Sequence, residues 1–427
     1  MFETFRNAWK IADLRKKILF TFLIIFIFRI GAAIPVPFVN IVENGIQTDG
    51  GTIMSYLSVM TGNAFNYGTL FAMSVTPYIN ASIIIQLLTI AIPALERLQK
   101  EGEEGRKKIA SFTRYAAVVL GLLQSTAYFF YLKNQGFLVY STGGSMVFSA
   151  FVIIGVLTAG TALMMWLGEQ INQSGVGNGI SILLFAGIVS RGPSAAITLY
   201  KGYWVQGGKF YVLVPLVLII FLLVIGFIVW MDSAERRIPV QYAKRVVGRK
   251  VYGGQNTHIP IKVNMSGVMP IIFASSILAL PATIEMFIGK QTQGFWGGFF
   301  KLFTADNLWY ALIYFLLILF FAYFYASIQY NPIEMANNIR KNSGAIPGIR
   351  PGKPTSDYIQ KIMSRIVLLG ALCLSVIAVL PIIFSVATGM NVSLGGTSIL
   401  ILVGVALETV RQIESQMMMR HYKGFLE

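Results

Sequence analysis

A chain of 427 residues that is 55% hydrophobic and only 12% charged is too apolar for a soluble fold with one greasy anchor; it reads as a polytopic membrane protein. A single cysteine, Cys373, excludes an internal disulfide framework, and two distant histidines in polar segments, His258 and His421, argue against a metal site. The net charge of +16 must therefore be sorted by membrane side, because cytoplasmic loops collect Lys and Arg.

Residues 1–17 are basic, with Phe2, Phe5 and Trp9 at helical spacing, which predicts an interfacial helix on the cytoplasmic face. No small-residue cleavage site follows the first apolar run, so no removable signal peptide is expected. That run is Ile18–Ile34. Next comes a weakly apolar piece, Ile53–Met60, then a polar Gly-containing break, Thr61–Gly68. A full crossing needs roughly 20 apolar residues, so the first piece can only dip into a membrane. It reads either as a re-entrant half-helix facing a cavity, where irregular backbone survives, or as a surface helix in an outer loop. The continuous run Leu70–Ile92, with Pro77 and Gln86 inside it, is long enough to cross. Further runs fall at Tyr115–Leu132, Val147–Gly168, Gly179–Val189, Tyr211–Met231, Met265–Ile288, Leu308–Ile328, Ile366–Thr388 and Leu394–Val410, giving ten expected spans.

Ten spans place both termini on one side. With that partition, 27 of the 34 Lys and Arg residues fall on the side of the termini and six on the other, Arg29 lying within the first span. Both termini are therefore expected in the cytoplasm. Two basic loops on that side are too long to be connectors. Residues 232–264 carry a cation cluster from Arg236 to Lys250, followed by β-like alternation around Gly253 and Gly254. Residues 330–362 hold a helical-looking segment and then the rigid turn sequence IPGIRPGKPT. Such loops suit an acidic protein surface or the phosphate backbone of a ribosome, or they are positive-inside charge alone.

The ten spans divide into five and five at the outer segment 190–210, whose RGPSA and QGGK pieces read as a linker. Spans two and seven carry prolines, Pro77 and Pro270. Spans five and ten are short and entered through glycines: Gly175, Gly177 and Gly179 in one, Gly395 and Gly396 in the other. Matching interruptions in two halves point to a central path, and five spans per half make the halves opposite in orientation. The candidate lining is aliphatic: Val75 and Ile79, Ile180 and Leu184, Ile272, and Ile401. The i, i+4 pairs share a helix face. A ring of such side chains excludes water and ions by dewetting and offers nothing to bind a specific solute. A secondary transporter of a small solute is the alternative, but it calls for ionisable groups at mid-membrane, and Arg29, Glu169, Glu285 and Glu408 lie near span ends. No His, Asp or Cys pair within the spans suggests an enzyme.

Several long motifs resemble the SecY family, the channel-forming subunits of bacterial protein-conducting translocases. They are IPVP (Ile34–Pro37), TPYINASIIIQLL (Thr76–Leu88), EGEEGRKKIASFTRY (Glu101–Tyr115), WLGEQI with GVGNGISILLFAGIVS (Trp166–Ser190), Gln241–Ser276, GAIPGIRPGKPT (Gly344–Thr355) and GGTSILILVGVALET (Gly395–Thr409). The resemblance covers nearly the whole chain. It implies an all-α polytopic membrane protein, with ten transmembrane helices in two inverted five-helix halves, 1–200 and 201–427, around a central hourglass pore.

By the matching motifs, the pore ring falls on the same six residues, Val75 and Leu184 standing where Ile is frequent. The plug would be a half-helix within about 53–68, including Ile53, Tyr56, Leu57, Met60, Gly62 and Asn63; the last two stand where the family often has Gly-Gly. A lateral gate toward lipid is expected between spans two/three and seven/eight, with Gln86 and Leu280 near it. Arg245, Arg249, Lys250 and above all Arg350 would dock the motor ATPase SecA or a ribosome. SecE and SecG homologues are the implied membrane partners, in the bacterial cytoplasmic membrane. The cargo would be signal peptides and unfolded secretory or membrane proteins, and the solvent for released segments the phospholipid bilayer. Each Leu, Ile or Phe of a released segment favours mid-bilayer by about 0.3–0.6 kcal/mol. No P-loop pattern and no cofactor motif is present, so the work would come from outside.

Overall fold

A computed structural model describes residues 2–41, 58, 61–140, 142–205, 208, 210–242, 245–247, 250–252, 256–288, 297–298, 302–303, 307–388 and 396–423. The chain begins with a short helix α1 (Phe2–Lys10) and the first spanning helix α2 (Ala12–Gly31). Then follow α3 (Thr76–Ala91), α4 (Pro93–Lys100), α5 (Glu103–Asn134), α6 (Gly143–Ser174), α7 (Gly179–Ser190) and α8 (Gly192–Ile197), the last running into a π-helical stretch, Thr198–Trp204. The second half holds α9 (Phe210–Ser233), α10 (Met269–Ile288), α11 (Leu308–Gln329), α12 (Pro332–Lys341), α13 (Lys353–Thr388) and α14 (Gly396–Lys423). Helices occupy all ten expected apolar runs. Among the described residues, six helices are long and apolar enough to cross a membrane alone, and seven if α3 and α4, bent by 100° at Pro93, count as one. The fold is that of an all-α polytopic membrane protein.

Helix boundaries depart from the apolar runs where local chemistry competes. The second span begins at Thr76, and Leu70–Val75 form buried turns instead. Pro77 sits in the first helical turn, where its fixed φ and missing N–H cost nothing, so it starts the helix and does not interrupt it. Pro270 likewise stands second in α10; the interior proline there is Pro281. The fifth span is 12 residues as α7, but it continues helically to Trp204. The RGPSA piece expected as a linker is thus helical, Pro193 again opening a helix. The second basic loop also ends earlier than 362, because α13 starts at Lys353.

Strands β1 (Glu235–Tyr242), β2 (Arg245–Val247), β3 (Lys250–Tyr252), β4 (Asn256–Lys262) and β5 (Gly344–Ala345) form two small antiparallel sheets. β1 pairs with β4 in the register Ile238↔Ile259 and with β5 in the register Gln241↔Ala345. This three-stranded sheet joins the two basic loops, which the sequence treats as separate. Alternation along β1 turns Ile238 and Val240 inward, onto a core with Ile261, Ile339, Ile346 and Ile359. Pro239 stands opposite His258, beyond the reach of the two-residue β5, an edge-like position that tolerates a missing N–H.

Both described ends of the chain meet at this same end of the bundle. Ala8, Leu14, Ile18 and Ile413 share a small core, and the Lys17 ammonium donates to Gln416 Oε1 at 3.5 Å. Arg411 on α14 bonds the Asp232 carboxylate at 2.8 Å, tying α14 to the base of β1.

Candidate functional site

The largest core is the meeting place of the halves. It takes buried side chains from α2, α3, α6, α7, α9, α10, α11, α13 and α14. Val75, Ile79, Leu184, Ile272 and Ile401 all belong to it, and Ile180 is packed against it. Ile401 has no exposed surface, and Val75 and Leu184 are each 1% exposed. Among the described residues no Asp, Glu, Lys, Arg or His is buried. All six aliphatic residues selected from the sequence thus lie in or against one apolar core, four of them at the start of α3 and in the first turns of α7, and one each on α10 and α14.

Local chemistry sets each of these elements. Val75 is the residue that caps α3, so the turn before the helix, not the helix itself, aims its side chain. Asn178 caps α7 through Oδ1, which accepts from the amides of Ile180 and Ser181. The hairpin from α6 into α7 is tight: a Cβ on Gly179 would overlap the Gly168 carbonyl oxygen. That contact explains the glycines at the start of the fifth span. They permit backbone approach, which brings Ile180 and Leu184 against the core.

Above this cluster lies the polar break. Ile53, Tyr56, Leu57 and Met60 lie outside the described residues. Thr61–Gly68 is a run of turns, with Gly62 at φ +64° and Asn63 at φ +71°. Asn63 takes up a backbone conformation in which Asn is one of the few tolerated non-glycine residues. Side-chain bonds order the break. The Tyr128 hydroxyl donates to the Phe65 carbonyl at 2.6 Å, Thr61 Oγ1 accepts from the Phe65 amide at 3.1 Å, and Thr69 Oγ1 donates to the Ala64 carbonyl at 3.3 Å. The IPVP segment runs alongside, the Leu70 amide bonding the Ile34 carbonyl at 2.9 Å.

The two halves also touch along a seam where α10 packs on α3 and α5. A cavity of about 20 Å³ in this seam is lined by Thr61, Thr76, Asn80, Gln124 and Thr283, with Phe65, Ala72, Met73 and Ala279. That is polar and roomy enough for about one water. Gln86 is half-buried on α3, and its Oε1 has no hydrogen-bond partner among the described residues. Leu280 is 46% exposed, facing away from the packed seam that its neighbour Ala279 enters.

At the basic end, Arg350 is exposed on the turn between β5 and α13. The Thr355 hydroxyl donates to its carbonyl at 2.9 Å, which fixes the turn and leaves the guanidinium free to reach outward. Arg245 and Lys250 occupy β2 and β3, in the registers Arg245↔Tyr252 and Val247↔Lys250; Arg249 lies outside the described residues. On α4, Lys100 bonds Glu96 at 2.6 Å, and that hydrogen bond holds the exposed Glu96 carboxyl below its usual range.

Reading the sequence alone misses two partners of the break. Ser58 is fully buried, and Arg191 donates to its hydroxyl at 3.4 Å. The signal for Arg191 was present: a cation directly after an apolar span on the cation-poor side.

Comparison with known proteins places these features in a family. A family model described as SecY matches residues 69–410. A protein of Mycobacterium bovis named "Protein translocase subunit SecY" is 43% identical over 447 aligned residues, with both chains covered in full. Among solved structures, "The structure of a protein conducting channel" superposes with a TM-score of 0.62 at 19% identity, covering 94% of this chain and 92% of the other. A second, whose description says that the plug domain of the SecY protein stabilises the closed state and maintains a membrane seal, reaches a TM-score of 0.60 at 18% identity, with the same coverage.

Proposed function

The chain belongs to the SecY family of protein-translocating channel subunits, and on that premise we propose that Val75, Ile79, Ile180, Leu184, Ile272 and Ile401 form the ring through which an unfolded polypeptide is threaded. The carrying observation is that they lie in or against one apolar core that both halves share, with no Asp, Glu, Lys, Arg or His buried among the described residues. Aliphatic side chains part and reclose without holding the cargo, and in the closed state they exclude water. The turns at 61–68, with the segment before them, act as the plug above the ring. The seam of α3 and α5 against α10 is the lateral exit, where a segment of roughly 20 apolar residues gains by moving into lipid. Gln86 lies on the α3 side of the exit, and Asn80, Gln124 and Thr283 line the cavity within it. Residues 1–200 and 201–427 are the halves that separate.

The sheet that joins the basic loops makes one platform from two stretches of sequence. It presents Arg350 and the β2–β3 hairpin to SecA or to a ribosome, and SecE and SecG homologues complete the membrane complex. In this reading both termini face the cytoplasm of a bacterium. The family match and the charge-free core favour this channel over a small-solute carrier.

The test is reconstitution of the complex into liposomes with the motor and ATP. A secretory precursor with a signal sequence should become protease-protected inside, and the same precursor without it should not. Ion-coupled solute uptake without polypeptide transport would overturn the proposal.

A further inference from the structure

Ser58, Thr61 and Asn63 bond one another above the ring, and two cations, Arg191 and Arg29, lie beside the turn that follows. The Ser58 hydroxyl, fully buried, donates to Asn63 Oδ1 at 3.2 Å, and the Ser58 carbonyl accepts from the Asn63 amide at 2.9 Å and from Thr61 Oγ1 at 3.2 Å. The turn lies on the end of α7. A Cβ on Gly62 would stand 2.6 Å from Ser190 Oγ and 3.0 Å from the Gly187 carbonyl. The next residue, Arg191, caps α7 with its amide bonded to the Ile188 carbonyl at 3.1 Å and reaches back to the Ser58 hydroxyl at 3.4 Å. Its Nε is buried and has no partner among the described residues, so this guanidinium is held by the turn and not by an acidic neighbour.

We propose that Arg191 is a positioning residue that latches the plug turn to the helix carrying Ile180 and Leu184, so that the ring and the plug open together. The proposal rests on the ring-and-plug reading above and deepens it. Leu184 and Arg191 are seven residues apart, about two helical turns or some 10 Å along one nearly continuous helix axis. A displacement of α7 that widens the ring therefore carries the guanidinium with it. The bond to Ser58 is long and single, so it breaks under a small shift and the turn loses the hydrogen bond that Arg191 supplies, while Arg29 Nη1, 3.2 Å from where a Gly62 Cβ would stand, stays beside it. A multidentate ion pair at the same place would hold the plug against the opening ring; one stretched hydrogen bond to a neutral hydroxyl holds it only while the ring is closed. Gly62 and Ser190 set the contact distance at which that bond forms.

The test compares Arg191→Ala, Arg191→Lys, Ser58→Ala and the Arg191→Ala/Ser58→Ala pair in the full membrane complex. Two measurements are made: hydrogen–deuterium exchange of the peptide over residues 61–69, and transport of a precursor with an intact or a crippled signal sequence. Arg191→Ala should speed exchange in that peptide about tenfold, as expected for losing a hydrogen bond to a charged group. It should also raise transport of the crippled precursor relative to the intact one, while exchange within α7 stays unchanged. Arg191→Lys should restore part of both effects, and the double variant should be no worse than either single one. Unchanged exchange, an equal fall in transport of both precursors, or additive single effects would each overturn the latch. A wild-type complex that transports nothing would instead remove the channel reading, and the exchange result would still be read on its own terms.

Discussion

Replacing Ile401 by Asn tests the seal at its most buried point. Ile401 has no exposed surface, and its neighbours are the apolar side chains of both halves. Removing a buried isoleucine forfeits about 1.5–3 kcal/mol of apolar burial. Placing an amide in the same site without partners costs about 1–3 kcal/mol more. In the dilated channel the side chain meets water and cargo, so neither cost applies there. Taking values near the low end, the closed state loses about 3 kcal/mol relative to the open one. About 1.4 kcal/mol is a factor of ten, so the resting open population should rise roughly a hundredfold. Planar-bilayer recordings of the purified complex read this as resting conductance, and export of precursors with weakened signals reads it as relaxed stringency. Ile401→Leu keeps volume and polarity and should change neither. Resting conductance and stringency unchanged in Ile401→Asn, at equal amounts of assembled complex, would refute the ring.

Charge reversal at Arg350 should separate docking from folding. The side chain is exposed and its turn is fixed through the backbone, so Arg350→Glu should shift stability by less than about 0.5 kcal/mol while abolishing motor or ribosome binding in co-sedimentation. Normal binding would exclude the docking role. Gly179→Ala places a methyl against the Gly168 carbonyl and should lower complex stability by about 2 kcal/mol, read as a drop in thermal midpoint in detergent. An unchanged midpoint would mean that the α6–α7 hairpin is looser than described.

How much of this was legible in the sequence varies with the kind of signal. Apolar runs located the long apolar helices among the described residues, because the bilayer demands length and apolarity whatever the neighbours do. They misplaced the start of α3, because Leu70–Val75 are as apolar as a helix yet form buried turns before Pro77. They also missed that α7 continues past RGPSA, since Gly and Pro read as a linker until Pro193 is seen in a first helical turn. Leu280, expected near the exit toward lipid, is 46% exposed, while Asn80 and Thr283 line the cavity in the seam. A motif names a neighbourhood, and only packing decides which of its side chains faces in.

The amino-acid sequence by itself determined the class of molecule, a mostly helical polytopic membrane protein, and where its apolar helices fall. Those follow from composition and period, which act residue by residue against lipid and water. The tertiary structure alone decided what met what: that β5 pairs with β1 and makes one platform of two loops, that Arg191 reaches Ser58 across 133 positions, and that residues from Val75 to Ile401 share one core. Contacts between residues so far apart depend on how helices lie against one another, and no local pattern along the chain encodes that geometry.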